Sequence, residues 1–437
     1  MKTWWDELVG FAKYSWNPHI LEANQLRLLC LSHTGRVSGN PRRSGLDYRI
    51  YTAIAEVPAQ AWTACNVKQD IFLSLEYLTA LEQAPPPNMR FRYAVFSVQG
   101  RPVAIGYFQI LELNARLHGS ASRFSRSGVK GHLGAIHDTL VNHATHRILV
   151  CGNALLSGEH GYAVNGADEA QVLHGMVEAG WAIRAKSPDS IHVTVIKDFY
   201  DGKSKPARVA ERFGFHTFDA GPNLVLALRP QWNAFDDYLN AMRPKYRKQA
   251  AGVLKKGQTL QRRSLDAEEL DRRKEELYRL YGQVVDQSKF KLFFLSPDYL
   301  AALKRHLGDR FECEAYFAGE TLIGFTTRIY NGAEMEGYAH GLDYGQGKPY
   351  ALYQNFMLSD VRAALAARCS RINTGRTSAA MKSGLGAEPQ GMRCYLRFSG
   401  RVMNHFSRPL WYFVRPAEEY CRHPFEDNAR PAPSCLD

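Results

Sequence analysis

The feature that most constrains this chain is an element order written twice. From residue 46 onward, short runs of alternating apolar and polar residues, the mark of half-buried strands, are interleaved with runs of helical spacing. In the first copy a β-rich start at Tyr48, Ile50 and Tyr51 precedes a helical stretch over 70–84 and the breaker Pro85-Pro86-Pro87. A hairpin over 91–98 and 102–113 follows, turning at Gln99-Gly100-Arg101, which is hairpin chemistry. Then come a strand at 148–151, a helix over 168–186, a strand at 191–196, a short helix at 205–212 and a strand at 224–228. The second copy starts with a strand at 259–265 and a helix over 267–287 carrying Leu270, Leu277, Leu280, Tyr281 and Val284 on one face. A helix over 297–307, a hairpin over 311–317 and 321–330, and a strand over 334–342 come next. A helix over 352–368, a strand at 371–374, a short helix at 378–385 and a last strand pair from Met392 complete it. Both copies read β-α-α-β-β-β-α-β-α-β, which predicts an α/β chain with α+β mixed sheets in two tandem domains. The boundaries expected are a docking segment at 1–45, domains at 46–230 and 231–420, and a flexible, proline-containing tail at 421–437.

Several classes of protein are excluded. Hydrophobic residues make up 45% and charged residues 22% of the 437, the balance of a folded soluble protein. No run approaches the ~20 apolar residues of a membrane span. The start Met1-Lys2-Thr3-Trp4-Trp5-Asp6-Glu7 has two early acids and no apolar run after it, so no secretory signal is read and a cytoplasmic location is expected. Trp4, Trp5, Leu8 and Phe11 share a helical stripe that packs on the protein body or rests peripherally on a membrane. Eight scattered cysteines without a C-x-x-C pair read as buried thiols. His132, His137, His143 and His146 lack the H-E-x-x-H pairing, so no metal is expected. There is no G-x-S-x-G elbow and no dinucleotide G-x-G-x-x-G, and the stretch 341–348 misses the P-loop spacing, with Pro349 where Ser or Thr is needed.

Charge is concentrated. The net charge is +12, and between Tyr238 and Leu265 stand Arg243, Lys245, Arg247, Lys248, Lys255, Lys256, Arg262 and Arg263 with no acid. Such a run either attracts a polyanion or is a solvated helix face. On the strand over 334–342, a period of two places Glu334, Glu336, Tyr338 and His340 on one face and Met335, Gly337, Ala339 and Gly341 on the other. A polar face on a central strand is unusual. Arg376 and Lys382, beyond the next strand, either clamp a carboxylate or phosphate or form an ion pair that fixes the following helix.

The element order, with the strings Met242-Arg243-Pro244-Lys245-Tyr246-Arg247-Lys248, Gly341-Leu342-Asp343-Tyr344, Gly375-Arg376-Thr377 with Lys382, and Gly386-Ala387, resembles the GNAT acyltransferase fold. Two copies in one chain are similar to the FemAB-like tandem-GNAT enzymes, among them GNAT-like "peptidoglycan biosynthesis" proteins of undefined substrate. The resemblance spans 46–414 and implies transfer of an acyl or aminoacyl group from an activated thioester or ester to an amine, in cell-envelope or lipid metabolism. In that fold the fourth strand splays from the fifth to admit the donor. The resemblance therefore implies His340 or Glu336 as base, Asp343 as the residue orienting it, and Tyr344 or Tyr338 as proton donor. It places Arg376, Lys382, Lys245, Arg247, Gly345, Gly347 and Lys348 around the substrates. The phosphate loop Q/R-x-x-G-x-G/A of coenzyme A users is replaced by Tyr344-Gly345-Gln346-Gly347-Lys348-Pro349-Tyr350. The donors in view are thus acyl-CoA, an acyl carrier protein thioester or aminoacyl-tRNA, and the acceptor is a small-molecule or lipid amine. In the first copy, Cys151-Gly152-Asn153 and 157–161 occupy the matching position, either to approach a ligand or to turn the chain. The rival class is a noncatalytic ligand- or nucleic-acid-binding protein using the cleft and the basic helix.

Overall fold

The computed structural model describes residues 43–114, 145–219, 221–287, 293–405 and 421–426. Strand β1 (Asp47–Tyr51) leads through helices α1 (Ala59–Cys65) and α2 (Leu75–Gln83) to the hairpin β2 (Met89–Val98) and β3 (Arg101–Asn114). After β4 (Thr145–Cys151) and β5 (Tyr162–Val164) come α3 (Glu169–Lys186), β6 (Val193–Tyr200), α4 (Ser204–Arg212), β7 (His216–Asp219) and β8 (Asn223–Ala227). Helices α5 (Phe235–Ala241) and α6 (Pro244–Gly257) precede β9 (Gln261–Ser264), α7 (Ala267–Arg272), α8 (Lys274–Gln287) and α9 (Tyr299–Leu307). The rest is β10 (Phe311–Ala318), β11 (Thr321–Asn331), β12 (Glu334–Leu342), α10 (Tyr344–Gly347), α11 (Leu352–Ala366), β13 (Arg371–Asn373), α12 (Ala379–Ser383), β14 (Glu388–Gln390) and β15 (Met392–Phe398). The hairpin turn falls where the sequence places it, with Gln99 at φ 49° and Gly100 at φ 76°, the paired positive φ of a type I′ turn.

The chain forms two compact units, each around its own mixed sheet. The first sheet runs β1-β2-β3-β4-β6-β15-β7, with β5 beside β3; the second runs β14-β8-β13-β12-β11-β10-β9. Each contains one parallel pair, β4 with β6 and β12 with β13, and is otherwise antiparallel. The chain is therefore a tandem of two α/β units, each built on a mixed sheet with a single parallel pair.

The division expected at 230/231 is corrected. Strand β8 follows β7 along the chain yet pairs with β13 and β14, while β15 pairs with β6 and β7. The units accordingly part at Gly221/Pro222 and at Gln390/Gly391, with the described residues 293–299 counted to the first unit and 421–426 to the second. Alternation of apolar residues shows that a strand is buried on one face and is silent about which sheet it joins. The helix expected over 267–287 is two helices, broken at Arg273, which turns at φ −100° and lays its guanidinium 5.2 Å from the Phe317 ring centroid. The tail is also corrected in part. Phe425 is partly buried and packs against the second unit's core, 5.2 Å from Trp232 and 5.8 Å from Tyr238 by ring centroid, with the Arg229 guanidinium 4.7 Å from its ring. The docking segment and the rest of the tail lie outside the described residues.

Close helix approach on both faces fixes β11 and β12. A Cβ at Gly324 would lie 2.8 Å from side-chain atoms of Leu352 and Phe356, so α11 presses on β11 there. On the opposite face, a Cβ at Gly341 would lie 2.8 Å from the backbone nitrogen of Tyr281 in α8. The two glycines let a helix sit on each side of one strand pair. Among the described residues no helix is long and apolar enough to cross a membrane.

Anchoring of the tail by one aromatic side chain has a measurable cost. Phe425→Ala should destabilise the second unit by about 1–2 kcal/mol in chemical denaturation, less than a fully buried aromatic loses; unchanged stability would show that the segment merely rests on the surface.

Candidate active site

The parallel pairing of β12 with β13 is three residues long: Glu334 with Arg371, Met335 with Ile372, and Glu336 with Asn373. Strand β12 continues to Leu342 along β11, whereas past Asn373 the chain turns to β8, where Thr374 N–H donates to the Leu224 carbonyl. From Gly337 onward β12 has no strand partner on that side among the described residues. The fork begins at Gly337, where even a Cβ would find only ordinary contacts, 3.5 Å from the Asn373 carbonyl oxygen and 3.7 Å from Oδ2 of Asp360.

A bulge just past the fork changes which side chains face it. Thr326 pairs with His340 and Arg328 with Gly337, so Thr327 stands opposite both Tyr338 and Ala339. The Thr327 hydroxyl knits the bulge by donating to the Ala339 carbonyl (2.9 Å) and accepting from its N–H (2.8 Å). Cross-strand partners share a face, so His340 lies with Thr326, Arg328 and Gly337 on the α11 side. Glu334 and Glu336 lie on the α8 side. The single polar face expected for Glu334, Glu336, Tyr338 and His340 is corrected: the extra residue at the bulge reverses the alternation, and period-two counting cannot register an insertion.

On the α11 side the fork is lined by ionisable groups. Half-buried His340 has Nδ1 3.0 Å from the Thr326 hydroxyl, stacks on Phe356 and meets Tyr353 edge-on, centroid distances 6.1 and 5.8 Å. Burial, with Lys382 and Arg328 nearby, pushes its pKa down to about 3, so the imidazole is neutral at physiological pH. Asp360, on a helix that is buried nearly all round, is 4% exposed, and its Oδ1 has no hydrogen-bond partner. Burial pushes its pKa up to about 7 against the opposing pull of Arg328. Burial outweighs that pull, and the guanidinium makes its hydrogen bonds elsewhere: it donates to Glu314 at 2.5 Å and to the Ser359 carbonyl at 3.2 Å, with Asp360 3.8 Å away. Lys382, 3% exposed, donates to the Thr374 carbonyl and shares with Asp360 a small pocket walled by Leu226, Met357, Val361 and Ile372. Beside it Ser378 is held at φ 62°, a strained conformation for a residue with a Cβ.

The residues singled out in the sequence fall in different places. His340 and Lys382 come together at the fork. Glu336, 4% exposed, is buried on the other face, and Tyr338 sits in the bulge. Asp343 caps α10, accepting from the N–H groups of Gly345 and Gln346 at 3.0 Å each, bonds that lower its pKa. Tyr344 and Lys348 are exposed, and Gly347 packs on Leu352. Arg376 is half-buried in the loop after β13. Lys245 and Arg247 are exposed on α6, the latter donating to the Asn240 carbonyl at 3.3 Å. Sequence reading missed Thr326, Arg328 and Asp360. Their signal was a carboxylate inside the apolar run Phe356-Met357-Leu358-Ser359-Asp360-Val361, a place where an unpaired acid is expensive. Of the histidine cluster, His132, His137 and His143 lie outside the described residues. Among the described residues no group of three potential ligands is placed to hold a metal.

The first unit has the matching fork, where β4 and β6 part after Cys151 and Ile196, and it is full. The neck of the 152–161 loop is pinched at Tyr107, whose carbonyl accepts from Gly152 N–H (3.1 Å) and whose N–H donates to the Gly161 carbonyl (2.8 Å). The loop then lies along β6: Lys197 donates to the Leu156 carbonyl (2.6 Å), Gly158 N–H to Asp198 (3.1 Å) and Tyr200 N–H to Glu159 (3.0 Å). Cys394 Sγ closes the cluster, donating to Asp198 at 3.2 Å.

No family model matches the sequence, and no curated protein matches it either. Similar solved structures include FemX, 10% identical over 80% of this chain and 96% of that one with a TM-score of 0.47. A tandem GNAT protein from the clavulanic acid biosynthesis pathway is 11% identical over 81% and 99%, with a TM-score of 0.45. L-PGS from Bacillus licheniformis is 9% identical over 77% and 94%, with a TM-score of 0.42.

Two buried groups with opposite shifts make stability depend on pH in opposite senses. Asp360, raised from 3.8, contributes stability that is present below about pH 4 and lost as pH rises through about 7. His340, lowered from 6.5, contributes stability that is present above pH 6.5 and lost as pH falls toward about 3. Denaturation of His340→Gln and Asp360→Asn against the parent between pH 4 and 6.5 should therefore give difference curves of opposite slope. Parallel curves would contradict these shifts.

Proposed function

We propose that the fork of the second unit transfers an acyl or aminoacyl group from a thioester or ester donor to an amine. The observation that supports this most is the edge of β12 that β13 leaves past Glu336, beside a neutral, half-buried imidazole. An extended donor can lie along β12 where β13 has turned away, and its carbonyl then sits near a group able to accept a proton from the attacking nitrogen. The first unit's fork is occupied by its own loop, which leaves the second as the reacting one. Unlike the expected roles, Asp343 serves the loop: its carboxylate takes two backbone N–H groups that a pyrophosphate would need, and adds a negative charge there. This favours a donor carried on a protein or on RNA over free acyl-CoA. Exposed Lys245, Lys248, Lys255 and Lys256 on α6 suit an anionic carrier. They also support a second reading, plain nucleic-acid binding, which requires tight and steeply salt-dependent association with generic RNA.

The test is amine-dependent release from acyl-CoA, acyl carrier protein thioester and aminoacyl-tRNA, offered with small-molecule and lipid amines. Release is expected with a carrier-bound donor, and His340→Ala should lower kcat by about 10²- to 10⁴-fold, the usual worth of a positioned base. Glu336→Gln, on the far face, should cost less than about tenfold. No release with any donor would count against the enzyme reading, and an unaffected His340→Ala would remove the histidine from the chemistry.

A further inference from the structure

Asp360 is a buried carboxylate whose bonding capacity the protein does not fill, and its surroundings define what would complete it. We propose that Asp360 anchors a cation subsite, in which its Oδ1 receives a primary ammonium group carried by one of the substrates and distinct from the nitrogen that attacks. The proposal rests on the acyltransferase reading of the fork and adds a chemical group that one of the substrates must carry.

The side chain is 4% exposed, and its Oδ1 has no hydrogen-bond partner among the described residues, a costly state for a buried charged oxygen. Neither nearby cation supplies the bond. The Nε of Arg328 stands 3.8 Å from Oδ1, beyond hydrogen-bond reach, while the guanidinium donates to Glu314 at 2.5 Å and to the Ser359 carbonyl at 3.2 Å. Lys382, which lines the same pocket, donates to the Thr374 carbonyl. Glu312, Glu314 and Asp360 all face the one guanidinium, so even with Lys382 counted three carboxylates stand against two cations. One more positive charge balances the cluster.

The pocket beside Asp360 selects the kind of cation. Its volume is about 10 Å³, close to the room that one water needs, and an ammonium head is of that size whereas a trimethylated one is not. Leu226, Met357, Val361 and Ile372 wall it with carbon, which suits the carbon that bears an ammonium. A hard metal ion would instead collect six or more oxygens, and among the described residues no group of three potential ligands is placed to hold one. Asp360 borders the fork as well as the pocket, with Oδ2 3.7 Å from where a Cβ at Gly337 would stand. A substrate lying along β12 can therefore reach Asp360 with a short branch.

The group held there is not the nucleophile. An ammonium paired with a carboxylate keeps its proton, and a protonated nitrogen has no lone pair with which to attack a carbonyl. The attacking amine is left to His340. Two sources present the same head to Oδ1: the ammonium of an aminoacyl donor, and the second amine of a diamine acceptor.

Binding is tested first without any acyl donor, by thermal melting of the full chain at pH 8, above the value of about 7 to which burial raises Asp360. Methylammonium chloride at about 0.1 M should raise the melting temperature by about 2–4 °C over tetramethylammonium chloride at the same concentration. Asp360→Asn should abolish the difference, and the comparison within the parent needs no variant. Equal melting in the two salts, or a difference that survives Asp360→Asn, would overturn the subsite. Release assays then assign the source. An alanyl thioester that outruns the propionyl thioester by at least about tenfold places the ammonium on the donor, and propane-1,3-diamine outrunning propylamine to that extent places it on the acceptor. Release with neither preference would overturn the proposal. Methylammonium binding in a protein that releases no acyl group from any donor would uphold the subsite while sinking the enzyme reading.

Discussion

Three residue pairs hold β12 to β13, and the character of the second unit follows from their number. A strand inside a sheet has its N–H and C=O groups taken on both edges, and a strand that loses one neighbour midway must satisfy that edge otherwise. The first unit meets the same need from within. Its loop doubles back along β6, and Lys197, Asp198 and Tyr200 bind the loop's backbone or side chains where a ligand would lie. The two units thus share one break in pairing and differ in what fills it.

An open edge alone would bind any extended chain. Chemistry enters through the uneven distribution of charge on the α11 side. One guanidinium faces three carboxylates, and geometry rather than count decides how it is shared: Glu314 has the bond, with Ser359 and Tyr316 donating to the same carboxylate, and Asp360 has distance. Buried ionic clusters of this kind add little net stability, since desolvation consumes most of the attraction. Their worth lies in fixing Asp360 where burial makes it costly as an anion and Arg328 where it offsets only part of that cost. Acids in such surroundings titrate near neutrality, which is where proton exchange with an amine is most effective.

Much of the architecture could be read from the chain. Strand and helix periods placed the long central strands and the helices over 168–186, 297–307 and 352–368, but not the short strands β5, β7 and β14 or the helices α1, α5 and α6, and the turns at Gly100 and Gly319 follow from residues that tolerate positive φ. What stayed hidden was non-local. Nothing in the alternation of Met392, Cys394, Leu396 and Phe398 tells which sheet β15 completes, because burial on one face looks the same in either. The bulge at Tyr338–Ala339 is set by the Thr327 side chain on the neighbouring strand, so counting along β12 put His340 with Glu336 when the two face opposite helices. His340 and Lys382 were visible as polar residues in apolar surroundings. Asp360 was equally visible by that criterion, but its meaning depends on Arg328, 32 positions earlier.

The central claim is that the fork at Gly337 is where the donor lies, and filling it tests that most directly. A Cβ at Gly337 meets nothing closer than 3.5 Å, so Gly337→Leu should fold while projecting its side chain into the opening beside Asp360. The account predicts a melting temperature close to the parent's together with loss of amine-dependent acyl release. A folded Gly337→Leu protein that turned over the same donor at the parental rate would contradict it.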